Sequence, residues 1–210
     1  MEIRILSLML LLLGTLAGTA PAQQQCVVEN EEYAVLAAIL FPNRAEIPPN
    51  IKTDIEKQAY LAAQDVRLDG FHGSSYTIED RSMPAKIPKG TDPQMVQDFN
   101  RRNESHCKWT AEKLLSHLPS GKTAAFVKPK DAGKISSLAL GRGEEAPGRL
   151  MSTEITRLSR PGFNKARTQA VAEVDLIADP EMGVGYRVYL QKSPKTGKWI
   201  LTSAERTRMY

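Results

Sequence analysis

The sequence predicts an α+β protein, with N-terminal helices packed on a C-terminal antiparallel sheet of about four strands. Three observations lead there. Period-two alternation is sustained only between Leu150 and Leu201. Helical spacing of apolar residues is confined to segments before that stretch. The connections inside the alternating stretch are short. Successive strand side chains face opposite sides, and short loops make neighbouring strands antiparallel. Helices that precede strands, instead of alternating with them, argue for the α+β class.

The sheet follows from its pattern. From Gln169 to Ile177, Ala170, Ala172, Val174 and Leu176 share one side while Glu173 and Asp175 take the other, as in a half-buried strand. Val184, Tyr186, Val188 and Leu190 repeat this, with Arg187 and Gln191 opposite. Ser193-Pro194-Lys195-Thr196-Gly197 carries turn chemistry. Trp199 and Leu201 then resume the alternation, which predicts a hairpin. Ala178 to Gly183 is a second short connection. Thr153 to Ser159 supplies a fourth strand, ended by Arg160-Pro161-Gly162. Gly183-x-Gly185 begins a strand instead of a helix, so a dinucleotide fingerprint is disfavoured. A bulge or close packing against a neighbour explains those glycines better.

The helices are read from caps and faces. Glu31 to Phe41 is one, with Asn30 as cap, acids at its positive end and Tyr33, Leu36, Ala37 and Leu40 on one apolar face. Ile51 to Leu68 is a second, closed by Gly70. Thr91 and Gln94 have capping-box spacing, and Pro93 sits early in a third helix whose apolar face is Met95, Val96 and Phe99. Thr110 caps a fourth, Ala111 to Leu118, with Leu114, Leu115 and Leu118 inward. Tyr76 to Glu79 and Ala124 to Lys128 are short strands, and Arg81 to Gly90 is a loop. Pro129 to Arg149, rich in Gly, Lys and Glu, is a flexible loop carrying one short helix.

The chain starts like an exported protein. Arg4, the apolar run Ile5 to Leu13 and Ala20-Pro21-Ala22 have the layout of a signal peptide, with cleavage after Ala22 and one α+β domain, 23–210, remaining. The apolar run is shorter than the ~20 residues of a spanning helix, so the mature chain is expected to have none. Cys26 and Cys107 are expected to pair in an oxidising compartment. The bridge would close about 80 residues, worth ~4 kcal/mol in the chain-entropy description. The net charge is +4, with both signs interspersed as on a solvated mixed surface. No basic stripe with interleaved aromatics supports nucleic-acid binding.

Catalytic and metal signatures are sparse. His72, His106 and His117 make no zinc-ligand spacing, and CxxC is absent. No cofactor fingerprint is found. Gly70-Phe71-His72-Gly73-Ser74-Ser75 gathers a base and two hydroxyls. It has no GxSxG elbow, so a polar turn is the plainer reading. Glu79 and Asp80, adjacent on a strand, point to opposite faces and do not flank one glycosidic bond. They are read as the solvated end of a strand. His106 adjoins Cys107, which does not make the two face each other. Asn103-Glu104-Ser105 has the form of a glycosylation sequon.

One resemblance stands out. Ser159-Arg160-Pro161-Gly162-Phe163-Asn164, Gln169-Ala170-Val171, Gly183-Val184-Gly185-Tyr186 and Gly197-Lys198-Trp199 resemble the end of a group of uncharacterised secreted bacterial proteins. That group carries a Ser-Arg-x-Gly-Phe-Asn turn, a Gln-Ala strand, a Gly-rich strand start and a Gly-Lys-Trp hairpin. Pro161 stands where the pattern more often has Val. The resemblance covers about the last quarter of the chain, and more faintly Glu32 to Leu40 and Tyr76 to Ser82. It implies export from a bacterial cell, supplies no activity, and discounts the sequon. It draws attention to Arg160, Phe163 and Asn164. They form either an anion- or partner-binding corner, or a turn in which Phe163 plugs the core and Asn164 holds the backbone; the second is the plainer reading.

The element order is loosely like cone-shaped folds of the nuclear-transport-factor-2 kind, an analogy that does not give function. The functional expectation is an exported non-enzymatic module that binds a small ligand or an envelope partner. The alternatives are an exported hydrolase using His72 with Ser74 or Ser75, and a structural envelope protein.

Overall fold

A computed structural model describes residues 26–42, 53, 75–90, 92–132, 155–179 and 182–209. The elements in chain order are α1 (Asn30–Leu40), β1 (Ser75–Glu79), α2 (Pro93–Arg102), α3 (Ala111–His117), β2 (Thr123–Val127), β3 (Ile155–Leu158), β4 (Gly162–Phe163), β5 (Gln169–Asp179), β6 (Met182–Lys192) and β7 (Trp199–Met209). The fold is α+β, as expected. The expected signal peptide, the helix expected over 51–68 and 133–149 of the expected loop lie outside the described residues.

The sheet is larger than the four antiparallel strands expected. It is open and mixed, seven-stranded, in the order β2-β1-β3-β5-β6-β7, with β4 also on β5. β3, β5, β6 and β7 are antiparallel, as the short connections require. β1 pairs in parallel with both β2 and β3. The sequence reading placed short strands at β1 and β2, but parallel pairing needs long crossovers that no local pattern announces.

Both faces of the sheet are covered. On one, Ile78, Leu158, Ala172, Val174, Val188, Leu190 and Trp199 pack with α1 and with Leu114 of α3. Burial runs around α1 instead of along one stripe: Val35, Ala38 and Ile39 are buried beside Tyr33, Leu36, Ala37 and Leu40. A helix apolar all round belongs in a core. On the other face, Met95, Val96 and Phe99 of α2 meet Ile87 and Val171. β5 is therefore buried on both sides, and Glu173 and Asp175 are only 3% and 2% exposed. The half-buried strand of the sequence reading is corrected here.

The caps differ by a residue. Asp92, in place of Thr91, accepts from the Gln94 and Met95 amides at the start of α2. Glu29, in place of Asn30, is the N-cap residue of α1, and the Glu32 carboxylate accepts from the Glu29 N–H at 3.0 Å. Thr110 is the N-cap of α3 without a side-chain bond, and Leu115 is 42% exposed instead of inward.

Candidate functional site

The Ser159–Asn164 motif sits where the line of strands breaks. β3 and β4 both pair with β5, and 159–161 leave the sheet between them. Ser159 keeps one tie, exchanging bonds with the Glu173 backbone through its N–H (2.9 Å) and Oγ (2.7 Å). Arg160 turns into the gap. Its N–H donates to Asn103 Oδ1 and its C=O accepts from Asn103 Nδ2, both at 2.7 Å. Asn100, one turn earlier on α2, makes the same two-bond pair with the Ile87 backbone at 2.8 and 3.0 Å. α2 thus grips an extended segment on each side with an amide that imitates a strand. Gly162 permits the approach: a Cβ there would lie 2.4 Å from Cβ of Phe99 and 2.5 Å from its backbone.

The Arg160 guanidinium meets Glu32, which is fully buried. Nε donates to Oε2 at 2.8 Å and Nη2 to Oε1 at 2.7 Å. Arg102 adds a bond to the same Oε1 at 2.8 Å, and reaches Asp98 (2.8 Å) and Glu29 (3.0 Å). Glu29 also pairs with Arg167. Arg102 and Arg167 both lie over the Phe163 ring, at 5.3 and 5.0 Å. Phe163 is 4% exposed and packs on Trp199, whose indole N–H donates to Glu31 at 2.8 Å. Asn164 accepts from the Thr168 and Gln169 amides. Phe163 is the core plug and Asn164 the turn holder of the plainer reading. Arg160 is turned inward and paired, so the corner is not an open anion site. Asn103 of the sequon is 2% exposed with both ends of its amide engaged.

Charges settle accordingly. Burial raises the Asp98 carboxyl, but the Phe163 amide, Arg101 and Arg102 together outweigh it and hold the group below its ordinary value. Burial likewise raises Glu29 and Glu31, while Arg167 with Arg102, and Lys192 with Trp199, bring them below theirs. Burial lowers Arg102, and Glu32, Asp98 and Glu29 more than reverse that.

A second charged array lies on the α2 side of the sheet. Glu79, 5% exposed, accepts from Arg81 at 3.2 Å and Arg157 at 2.8 Å. Asp175 accepts from Arg208 at 2.6 Å; Glu173 accepts from Arg187 and Arg208, each at 3.1 Å. Glu79 is therefore not the solvated strand end expected, because Arg81 and Arg157 fold over it. Gly185 shows both features proposed for it: a register shift follows it, and a Cβ there would meet Arg208.

Cys26 and Cys107 form the disulfide, with Cα atoms 5.5 Å apart. His106 Nδ1 lies 2.8 Å from the Ser82 carbonyl oxygen and His117 Nε2 lies 3.0 Å from Asn30 Oδ1. His72 and Ser74 lie outside the described residues, and Ser75 opens β1. Among the described residues no helix is long and apolar enough to cross a membrane, and no three acids, histidines or cysteines are grouped as metal ligands.

Two of the concavities among the described residues bear on function. A groove of about 690 Å³ runs along α2, with Pro88, Pro93 and Val96 on its walls and Lys89 and Arg101 among its lining. A cleft of about 610 Å³ lies beside the disulfide, lined by Cys26, Asp80, Lys108, Trp109, Glu112 and Phe126. Main-chain bonds fix it: the Trp109 N–H donates to the Asp80 carbonyl at 3.0 Å, and the Ser82 N–H to that of Cys107 at 2.6 Å. Trp109 is 3% exposed and its indole N–H has no acceptor. Sequence reasoning missed this cleft, since its walls come from four separate segments. A Trp two residues after a paired Cys was its only local signal.

No family model, curated protein or solved structure matches the chain.

Proposed function

We propose that the protein is an exported, non-enzymatic module of the bacterial envelope that binds a small ligand in the cleft beside the disulfide. The observation that carries this is a contrast in charge pairing. Buried acids such as Glu32, Glu79, Glu173 and Asp175 hold arginine partners. Asp80, half-buried in the cleft, holds none. A partly desolvated carboxylate without a partner is costly unless something supplies one. Size fits as well, since small-molecule sites run about 300–1,000 Å³. The Cys26–Cys107 bridge accords with an oxidising destination.

The groove along α2 favours a second reading, docking of an envelope protein segment. Its apolar walls suit an apolar segment, and Lys89 on its lining suits an acidic side chain.

The test is native mass spectrometry of protein purified from its own exported fraction, followed by the denatured mass of the same sample. A discrete small-molecule increment in the native spectrum is expected. Equal masses would count against a retained ligand. A protein-sized increment would favour the second reading.

A further inference from the structure

Resting on that reading and deepening it, we infer that the cleft beside the disulfide takes the α-ammonium end of an amino acid or short peptide. Asp80 is held in place by its own backbone, which donates to Val127 at 2.8 Å and accepts from Trp109 at 3.0 Å. Its half-buried carboxylate has neither a hydrogen-bond nor an ion-pair partner. Among the described residues only Asp131 shares that condition, and it does not line the cleft. Glu112 brings a second negative charge to the lining and Lys108 one positive charge, neither of them ion-paired. The lining is thus acidic by one charge in a chain of net +4.

These groups select a chemistry. A carboxylate short of donors favours an ammonium, which has three N–H groups to give. The Lys108 ammonium favours an acceptor nearby. An α-amino acid or peptide N-terminus carries both close together, an ammonium on Cα and a carbonyl or carboxylate oxygen on the next carbon. Phe126, half-buried, and the Trp109 indole add apolar surface for its side chain. A simple carboxylate or phosphate ligand would meet Asp80 and Glu112 with like charge.

The experiment is calorimetric titration of the mature disulfide-bonded protein with phenylalanine amide, the dipeptide Phe-Ala, and N-acetylphenylalanine amide. Binding of a free-ammonium probe is expected, with the acetylated compound at least ten-fold weaker. Asp80→Asn should weaken the free-ammonium probe about 10- to 100-fold, the range of one charge-assisted hydrogen bond. Binding of the dipeptide but not the amide assigns a peptide source; the reverse assigns an amino acid. In the unaltered protein the Trp109 indole N–H resonance should shift on titration, a readout that survives if Asp80→Asn does not fold. Equal binding of the acetylated probe, no binding of either free-ammonium probe, or an indifferent Asp80→Asn variant overturns the inference. If the native mass still shows a ligand in that event, only the ligand class fails; if it shows none, the binding reading fails too.

Discussion

Arg208 reaches Asp175 by lying across Gly185. The glycine stands between them in the sheet, opposite both. A Cβ on it would sit 2.5 Å from Arg208 Cγ and 2.8 Å from Asp175 Oδ1. β6 therefore leaves out a side chain so that β7 can pair with β5. Gly185→Ala should displace Arg208 and cost about 1–3 kcal/mol, the usual range for overpacking. Arg208→Ala removes the same contact by another route. The double variant should cost less than the sum of the two, since contacting residues are not additive. Urea denaturation of the four proteins gives the coupling, and full additivity would show that the glycine serves something else.

Glu32 is the shared acceptor of Arg102 and Arg160. Glu32→Ala leaves two guanidinium groups in the interior short of a counter-charge, and breaking a buried pair costs about 3–5 kcal/mol. Glu32→Ala should therefore cost much more than Arg101→Ala, whose side chain is 66% exposed. Comparable urea midpoints for the two variants would contradict the buried role.

Gly162→Ala places a methyl group against the backbone of Phe99, which cannot rotate aside as a side chain can. A loss of about 3 kcal/mol is expected. In a chain of this length that is roughly 6–12 °C of melting temperature. Gly197→Ala is the control for glycine removal. Its φ is +69 with open space beyond, so it should show only backbone strain, about 1 kcal/mol.

Acid should weaken the corner. Glu29, Glu31 and Asp98 have folded-state pKa values below their ordinary 4.5, 4.5 and 3.8. A depressed carboxyl stabilises the fold above its unfolded pKa and loses that contribution as pH falls through the folded one. Stability should thus be level near neutrality and decline from about pH 4.5 downward. Asp98→Asn should flatten part of the decline. A melting temperature that rises on acidification through this range would reverse the sign and refute the assignment.

Reduction should reveal the bridge's share. Cys26 and Cys107 are 81 residues apart, for which loop-closure entropy gives about 4 kcal/mol. A Cys26→Ser/Cys107→Ser variant should melt well below the oxidised protein, and dithiothreitol should not lower its midpoint further.

How much of this was legible depends on how far each signal travels along the chain. The alternation from Gln169 placed β5, β6 and the start of β7, because a two-residue period is local. The parallel seats of β1 and β2 were hidden, because their partners are not sequence neighbours. Glu32 was legible as an acid suited to a helix start, yet its partners lie 70 and 128 residues away. Glu79, Glu173 and Asp175 were read as a solvated side because alternation names faces without saying what covers them. Gly185 was read correctly, since a glycine inside a strand signals a bulge or a close approach by its own chemistry. Asp80 was legible only as half of an adjacent acidic pair. Its lack of a partner becomes meaningful once the arginines are seen elsewhere.

The separation between Glu32 and Arg160 also sets an order in time. A chain is made from its N-terminus, so Glu32 exists 128 residues before the guanidinium that holds it from both oxygens. Arg102 arrives in between and can answer only part of the need. Until Arg160 emerges, α1 carries in its buried part a carboxylate it cannot bury cheaply, which keeps α1 from settling prematurely into a core whose sheet is still unmade. The corner is a late-closing latch. A nascent chain stopped short of residue 160 should stay open to protease at α1, and one carried past the Ser159–Asn164 turn should become resistant there.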